Sequence, residues 1–283
     1  VVPRVSAVTA SSFDLRLQNP SGAAVVADPT TCLIVEEGSW ASAGVRFGAQ
    51  RIDSFVTAEN TAWIGQTMLY DQLYTDPVVI GQVIGDSDPD WSVFWCQGGS
   101  RNEAPSPTAL VAGKTVCEDT DVTRADEELG VIVFESGHGT LAGVEYEAAL
   151  GPDVILGVQG PAPYANPFVT PFADDPRVAL ATMAGVDGGN GDWAVDYGAT
   201  VATVDDLFVA IDEDQIGDSE RAHTTESVGY VVFADHVDYE PPSECTSDFD
   251  CDDGNLCNGI ETCIAGACEV IVIDCDDPFI DFF

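Results

Sequence analysis

Lysine is almost missing from this chain: Lys114 is the only one in 283 residues, and 9 Lys+Arg face 49 Asp+Glu for a formal net charge of −40. So few cations exclude nucleic acid as a partner, because phosphate backbones are bound by basic surface. There is no polybasic cluster and no continuous apolar run of roughly 18–20 residues, so neither adsorption to an anionic bilayer nor membrane insertion is expected. Histidine is scarce, with three residues, and no stretch carries a convincing amphipathic helical period. Enzyme signatures are lacking as well. There is no phosphate-cradling glycine loop and no His-Glu-x-x-His helix, and Glu135-Ser136-Gly137-His138-Gly139 departs from the Gly-x-Ser-x-Gly elbow. With 49 carboxylates present, no particular pair points to glycoside hydrolysis. His223 reads as a turn residue hydrogen-bonded near Thr224 rather than a general base, and no enzymatic activity is expected.

What is present is a core-forming composition. Hydrophobic residues make up 45% of the chain and are spread along it, which excludes disorder and places the acid on the outside of a folded body. Clustered carboxylates destabilise a compact state by self-repulsion, so counter-ions are needed, from bound calcium or from high-salt water. Short β-branched runs bounded by Gly, Asp or Pro predict strands: Val78-Val79-Ile80, Val131-Ile132-Val133-Phe134 and Val228-Gly229-Tyr230-Val231-Val232-Phe233. The fold class is therefore all-β.

The strongest feature is an internal repeat. Asp76-Pro77-Val78-Val79 leads through the acidic turn Gly85 to Asp90 into Trp91-Ser92-Val93. Asp175-Pro176-Arg177-Val178 leads through Gly185 to Asp192 into Trp193-Ala194-Val195. Each copy continues through an acidic segment holding an arginine, Arg124 or Arg221, to a closing strand, Glu128–Phe134 or Ser227–Phe233. A partial copy stands in front, where Leu33-Ile34-Val35-Glu36-Glu37-Gly38 matches Ile132 to Gly137. The preceding Ser12-Phe13-Asp14-Leu15-Arg16-Leu17 alternates with a period of two. A unit of roughly 100 residues with short alternating strands and frequent turns predicts an antiparallel β-sandwich. The expected organisation is a partial β repeat (1–36), tandem sandwich repeats (37–135 and 136–236), a linker (237–244) and a Cys/Asp-rich module (245–283).

The pattern Tyr74-Thr75-Asp76-Pro77-Val78-Val79, turn, Trp91-Ser92-Val93 and closing Val/Phe strand resembles the H-type-lectin-like sandwich. Through Ala210-Ile211-Asp212-Glu213-Asp214-Gln215-Ile216-Gly217-Asp218-Ser219-Glu220-Arg221 and on to Glu226, the second copy is similar to a repeat of large secreted proteins of environmental bacteria. The resemblance covers roughly residues 1 to 236 and brings no activity with it. The polar and aromatic cluster that binds sugar between subunits in true H-type lectins has no residue-by-residue match here.

Six of the nine cysteines, Cys245, Cys251, Cys257, Cys263, Cys268 and Cys275, recur every five to seven positions in the last segment. Zinc sites usually show paired Cys-x-x-Cys spacing, which is missing, so a disulfide framework is expected, with 15 possible pairings. Crosslinks would supply stability that so small a segment cannot draw from a core. Cys251 to Gly259 also resembles short Cys-Asp-Asp-Gly-Asn-x-Cys-Asn-Gly repeats of secreted bacterial proteins. With a chain that begins at Val1 rather than Met, as removal of a signal peptide would leave it, this points to a secreted protein at an extracellular surface. Cys96 and Cys117 lie in one repeat and are expected to staple neighbouring strands. Cys32 is left over and reads as a buried thiol beside Leu33 and Ile34.

Three acidic clusters are candidates for calcium, which takes six to eight oxygen ligands. In the last segment Asp248, Asp250 and Asp252 alternate ahead of Asp253, Gly254 and Asn255. An EF-hand register from Asp248 puts glycine one place late and Gly259 at position 12; a register from Asp250 recovers Glu261 there but brings Gly254 too early. The others are Asp86, Asp88 and Asp90 before Trp91, and Asp212, Asp214 and Asp218 around Gly217. Solvated acidic turns are the alternative for all three. Trp91 and Trp193, at equivalent positions, are expected in the core, whereas Trp40, Trp63 and Trp95 are open to core or sugar-stacking roles.

Two functions fit this reading. One is an extracellular structural or adhesive β-repeat protein, calcium-stabilised, that self-associates through unpaired strands of residues 1 to 36 into a surface layer, appendage or filament. The tail Pro278–Phe283 is a second candidate contact. The other is a lectin-like module binding polysaccharide.

Overall fold

The computed structural model describes residues 1–9, 12–25, 30–42 and 44–239, together with 260–264 and 267–271. All regular elements among them are β-strands in several small sheets, antiparallel apart from one short parallel pairing, so the all-β expectation holds. The chain divides into two compact units, Val1–Val237 and Asp238–Phe283.

The first unit opens with a hairpin, β1 (Val2–Ser6) and β2 (Asp14–Gln18), paired in register from Val2↔Gln18 to Ser6↔Asp14. Its first half continues with β3 (Gly38–Ser42), β4 (Val45–Ser54), β5 (Thr57–Ala58), β6 (Gln66–Leu69), β7 (Pro77–Val83), β8 (Val93–Gln97), β9 (Ala109–Thr115) and β10 (Glu127–Glu135). The second half holds β11 (Gly137–Leu141), β12 (Val144–Leu150), β13 (Tyr164–Pro167), β14 (Val178–Met183), β15 (Trp193–Asp196), β16 (Asp206–Asp212) and β17 (Val228–Phe233).

The halves follow one plan. One sheet runs β3-β4-β10-β7 and its counterpart β11-β12-β17-β14. A second sheet sets β9 between β6 and β8, with β5 added in parallel, and its counterpart sets β16 between β13 and β15. Both halves begin with a two-residue hairpin ending in glycine, Gly44 (φ +89°) and Gly143 (φ +82°). The second turn also holds Ala142 at φ +49°, so both central residues are left-handed, as a tight hairpin twisted with its strands requires.

Alternation along the strands builds the core between the sheets of each half. Val79, Val83, Leu129, Val131 and Val133 from one sheet meet Met68, Phe94, Cys96, Leu110 and Ala112 from the other. In the second half Met183, Val228, Tyr230 and Val232 meet Leu207, Val209 and Ile211. The opposite faces join the halves. Phe134 of β10 stacks on Phe47 of β4 at 5.3 Å between ring centroids and meets Phe233 of β17 edge-on at 6.3 Å, while Tyr146 of β12 lies 6.0 Å from Phe233. Strand β17 is consequently buried at all six positions. Equivalent residues also meet where Trp91 packs on Trp193, with centroids 6.3 Å apart and both rings buried as expected.

The expected front repeat does not form. Ser12–Leu17 falls largely in β2, but Leu33, Ile34 and Val35 belong to no strand and Ile34 is 73% exposed. Strands β1 and β2 pair with each other instead of lacking partners, and Arg4 of β1 is buried against Glu127 of β10. In the second unit β18 (Ile260–Ile264) and β19 (Ala267–Ile271) form a hairpin that places Cys263 opposite Cys268. Cys245, Cys251, Cys257 and Cys275 lie outside the described residues, as does the tail Pro278–Phe283.

Replacing Phe134, which is 1% exposed, by alanine should remove the ring that both halves share and cost about 3–5 kcal/mol. Urea unfolding followed by tryptophan fluorescence checks this; a loss below about 1 kcal/mol would mean that the halves do not depend on the contact.

Candidate functional site

Carboxylates in this protein are used from within, as anchors for loops. Glu127, at the start of β10, is 3% exposed and accepts from the backbone N–H of Asp88 at 3.0 Å. Glu226, just before β17, holds the equivalent place and accepts from the N–H groups of Asp187 (2.9 Å) and Gly188 (2.8 Å). Each thus closes the turn between two strands of its half. The charge of Glu127 is met by Arg4, whose Nη1 lies 3.2 Å from Glu127 Oε1 with both side chains out of solvent.

Around Glu226 the chemistry differs. His223 Nδ1 is 3.5 Å from Glu226 Oε1 and 3.1 Å from the Thr224 carbonyl oxygen, the turn contact expected of it. On the other side of the ring, Nε2 is 2.9 Å from Asp192 Oδ2 and 4.0 Å from Glu213 Oε1. All four residues are buried, with Asp192 and Glu226 at 1% exposure. Asp192 sits at the entry to β15 and Glu213 directly follows β16, so the sheet pairing of Trp193 with Asp212 brings them together. Gly188 closes over the ring: a Cβ there would fall 2.2 Å from His223 Cε1 and Nε2. Among the described residues this is the one set of three or more metal-competent side chains, Asp192, His223 and Glu226, whose ligand atoms converge.

Burial governs the protonation of the group. It raises the Asp192 carboxyl above its ordinary range, against the pull of His223. It pushes Glu213 up to about 8, and it pushes Glu226 to about 7 against the pull of the Asp187 and Gly188 amides. Burial alone would lower His223, but Asp192 and Glu226 outweigh it and carry the imidazole to about 9. The nearby Cys117 is fully buried, and burial together with Asp214 and Asp192 raises its thiol well above the usual value. A thiol so disfavoured as thiolate does not make a Cys-His nucleophile.

The carboxylates expected to take calcium are placed as follows. Asp88 is buried and accepts from Asp90 N at 2.9 Å and Ala125 N at 2.6 Å, while Asp86 and Asp90 are exposed. Asp86 borders an acidic surface hollow of about 370 Å³ shared with Asp53, Asp126 and Glu128. Asp212 pairs with Arg221 (Nε to Oδ1, 2.7 Å), Asp214 accepts from Glu118 N and Ile216 N, and exposed Asp218 accepts from Glu220 N. Asp88, Asp214 and Asp218 each hold an amide two residues on, Asp88 and Asp214 also hold a distant one, and Asp212 pairs with an arginine. Asp248, Asp250, Asp252 and Asp253 lie outside the described residues.

The expected Cys96–Cys117 staple is not made. Both are free buried thiols, Cys96 in the core of the first half and Cys117 in the separate cluster with Val2, Trp91, Val116 and Trp193. Cys32 is free too, but exposed rather than buried, because the segment around it packs on nothing that would cover it. Trp95 is 2% exposed and meets Trp63 edge-on at 5.3 Å, which places it in the core, while Trp40 and Trp63 are half-buried.

Two outcomes follow. Under native conditions a thiol reagent should modify Cys32 and leave Cys96 and Cys117 unmodified, as read by peptide mass mapping; labelling of Cys96 at the same rate would contradict its burial. Asp88 is held below the ordinary carboxylate range: burial acts to raise it, but the amides of Ala125 and Asp90 prevail. A depressed carboxylate stabilises the fold above its unfolded value and loses that contribution as pH falls through the folded one. Asp88→Asn should therefore cost about 1–2 kcal/mol at neutral pH, with or without calcium. In urea unfolding the difference from wild type should shrink as pH falls through the carboxylate range. A calcium-dependent difference would instead identify Asp88 as a ligand.

No protein-family model matches the chain, and no curated protein and no solved structure does either.

Proposed function

We propose that the chain is a non-catalytic structural or adhesive protein of an extracellular surface. In this reading its two halves are tandem copies of one β-sandwich, of the H-type-lectin-like kind, and its last segment is a disulfide-rich, calcium-binding module. The observation that carries it is the shared strand order of the halves, packed so that equivalent residues touch. A scaffold of this kind offers rigid, repeated surface. The buried carboxylates serve turns, and Trp91, Trp95 and Trp193 face inward, which favours structure over sugar recognition.

Assembly with further copies is part of the reading. The unpaired front strands no longer motivate it, since β1 and β2 satisfy each other. Repeated exposed aliphatic surface does. Leu69 at the end of β6 and Val169 just after β13 occupy corresponding places by strand register and are 69% and 78% exposed. Presented twice, such residues give a chain two like contact points.

Sedimentation and negative-stain microscopy, with millimolar calcium and then with chelator, test this. Calcium-dependent rods or layers, lost in the double variant Leu69→Asp with Val169→Asp, are expected. A monodisperse monomer in both conditions would overturn the assembling role.

A further inference from the structure

We propose that Asp192, His223 and Glu213, with Glu226 beside them, bind a divalent transition-metal ion, with zinc as the ion whose geometry fits. This site is separate from the calcium expected in the last segment.

Three observations support it. The first is unmet polarity: both carboxylate oxygens of Asp192, Glu213 Oε1 and His223 Nε2 are buried without a hydrogen-bond partner. Asp192 Oδ2 and His223 Nε2 are 2.9 Å apart, yet the ring N–H direction does not meet the oxygen. Buried polar atoms are ordinarily paired; Arg4 Nε and Nη1 and Glu127 Oε2 are open in the first half too, but there a guanidinium faces the carboxylate, whereas the four in the second half face one another with no arginine or lysine among them.

The second is charge. In the first half the corresponding carboxylate, Glu127, is answered by a guanidinium, Arg4. In the second half three buried carboxylates share one imidazole, and among the described residues no arginine or lysine forms an ion pair with any of them. Arg101 stands at the rim, donating to the carbonyl oxygens of Gly188 and Asp187. A divalent cation supplies the positive charge that Arg4 supplies in the other half.

The third is geometry and ligand type. His223 Nδ1 is placed to donate to the Thr224 carbonyl, so that a metal displacing the second ring proton would meet the Nε2 lone pair on the side of Asp192 and Glu213. Fixing the ring through its other nitrogen is how metal-binding histidines are usually oriented. Ligands about 2.0–2.1 Å from a tetrahedral ion stand about 3.3 Å apart. The Nε2 distances of 2.9 and 4.0 Å bracket that value. The imidazole nitrogen with the carboxylates of Asp192 and Glu213 is an N/O set suited to zinc, which leaves Glu226, 3.5 Å from Nδ1 and holding the Asp187 and Gly188 amides, on the other side of the ring; calcium takes six to eight oxygens.

Cobalt(II) titration of the metal-stripped full chain distinguishes this site from any thiolate site in the last segment. One equivalent should give visible ligand-field bands without thiolate charge-transfer absorption, displaced by zinc and not by calcium. Asp192→Asn and His223→Gln should each abolish those bands. Glu213→Gln, a milder change, should keep them while weakening affinity about 10–100-fold. Absence of such bands in the wild-type chain would overturn the proposal, as would a purely thiolate spectrum, displacement by calcium, or bands that survive both ligand variants.

Discussion

The contact on which this molecule depends is between like and like. Phe134 meets Phe233, and Trp91 meets Trp193, so each half touches the other with the surface it is itself touched by. Such an interface is self-complementary, as in a two-fold dimer, but here both partners belong to one chain. It buries the outer face of β17 and turns two thin sheet pairs into one thicker body, in which a larger share of apolar side chains leaves water. The hairpin of β1 and β2 is then fastened to it by Arg4 against Glu127.

Acid plays two parts in this fold. Most of it lies outside the core and dominates the formal net charge of −40 that the whole chain carries. Inside, carboxylates replace the backbone carbonyls that would otherwise receive the N–H groups of tight turns, as Glu127, Glu226, Asp88 and Asp214 show. Hydrogen bonds to ionised acceptors are strong, so one side chain can hold a turn that the strands leave open. Such use explains how dense acidity and a compact core coexist.

Much of this plan is legible in the residues. The all-β class, the strands around Val78–Ile80, Val131–Phe134 and Val228–Phe233, and the inward place of Trp91 and Trp193 follow from pattern, because short β-branched runs form strands and a sheet buries alternate residues. The front segment misleads, since Leu33-Ile34-Val35 has the composition of a strand but no neighbour with free hydrogen bonds. Free Cys96 and Cys117 mislead as well: closeness in sequence says nothing about which face each thiol takes. The Asp192, His223, Glu213 and Glu226 group is hidden by abundance, for among so many carboxylates none stands out. The available signal was the difference between copies, with Glu127 and Glu226 in matching places but Arg4 beside only the first.

Strand β17 has no side facing water, and this bears on how such a chain can change over generations. A surface strand accepts substitutions freely, but a strand interior on both faces must change in step with two sets of neighbours. One half cut away would expose an apolar sheet face and invite aggregation. Substitution is then easiest at the outer sheets and turns of the two halves, and hardest along the strands where they meet.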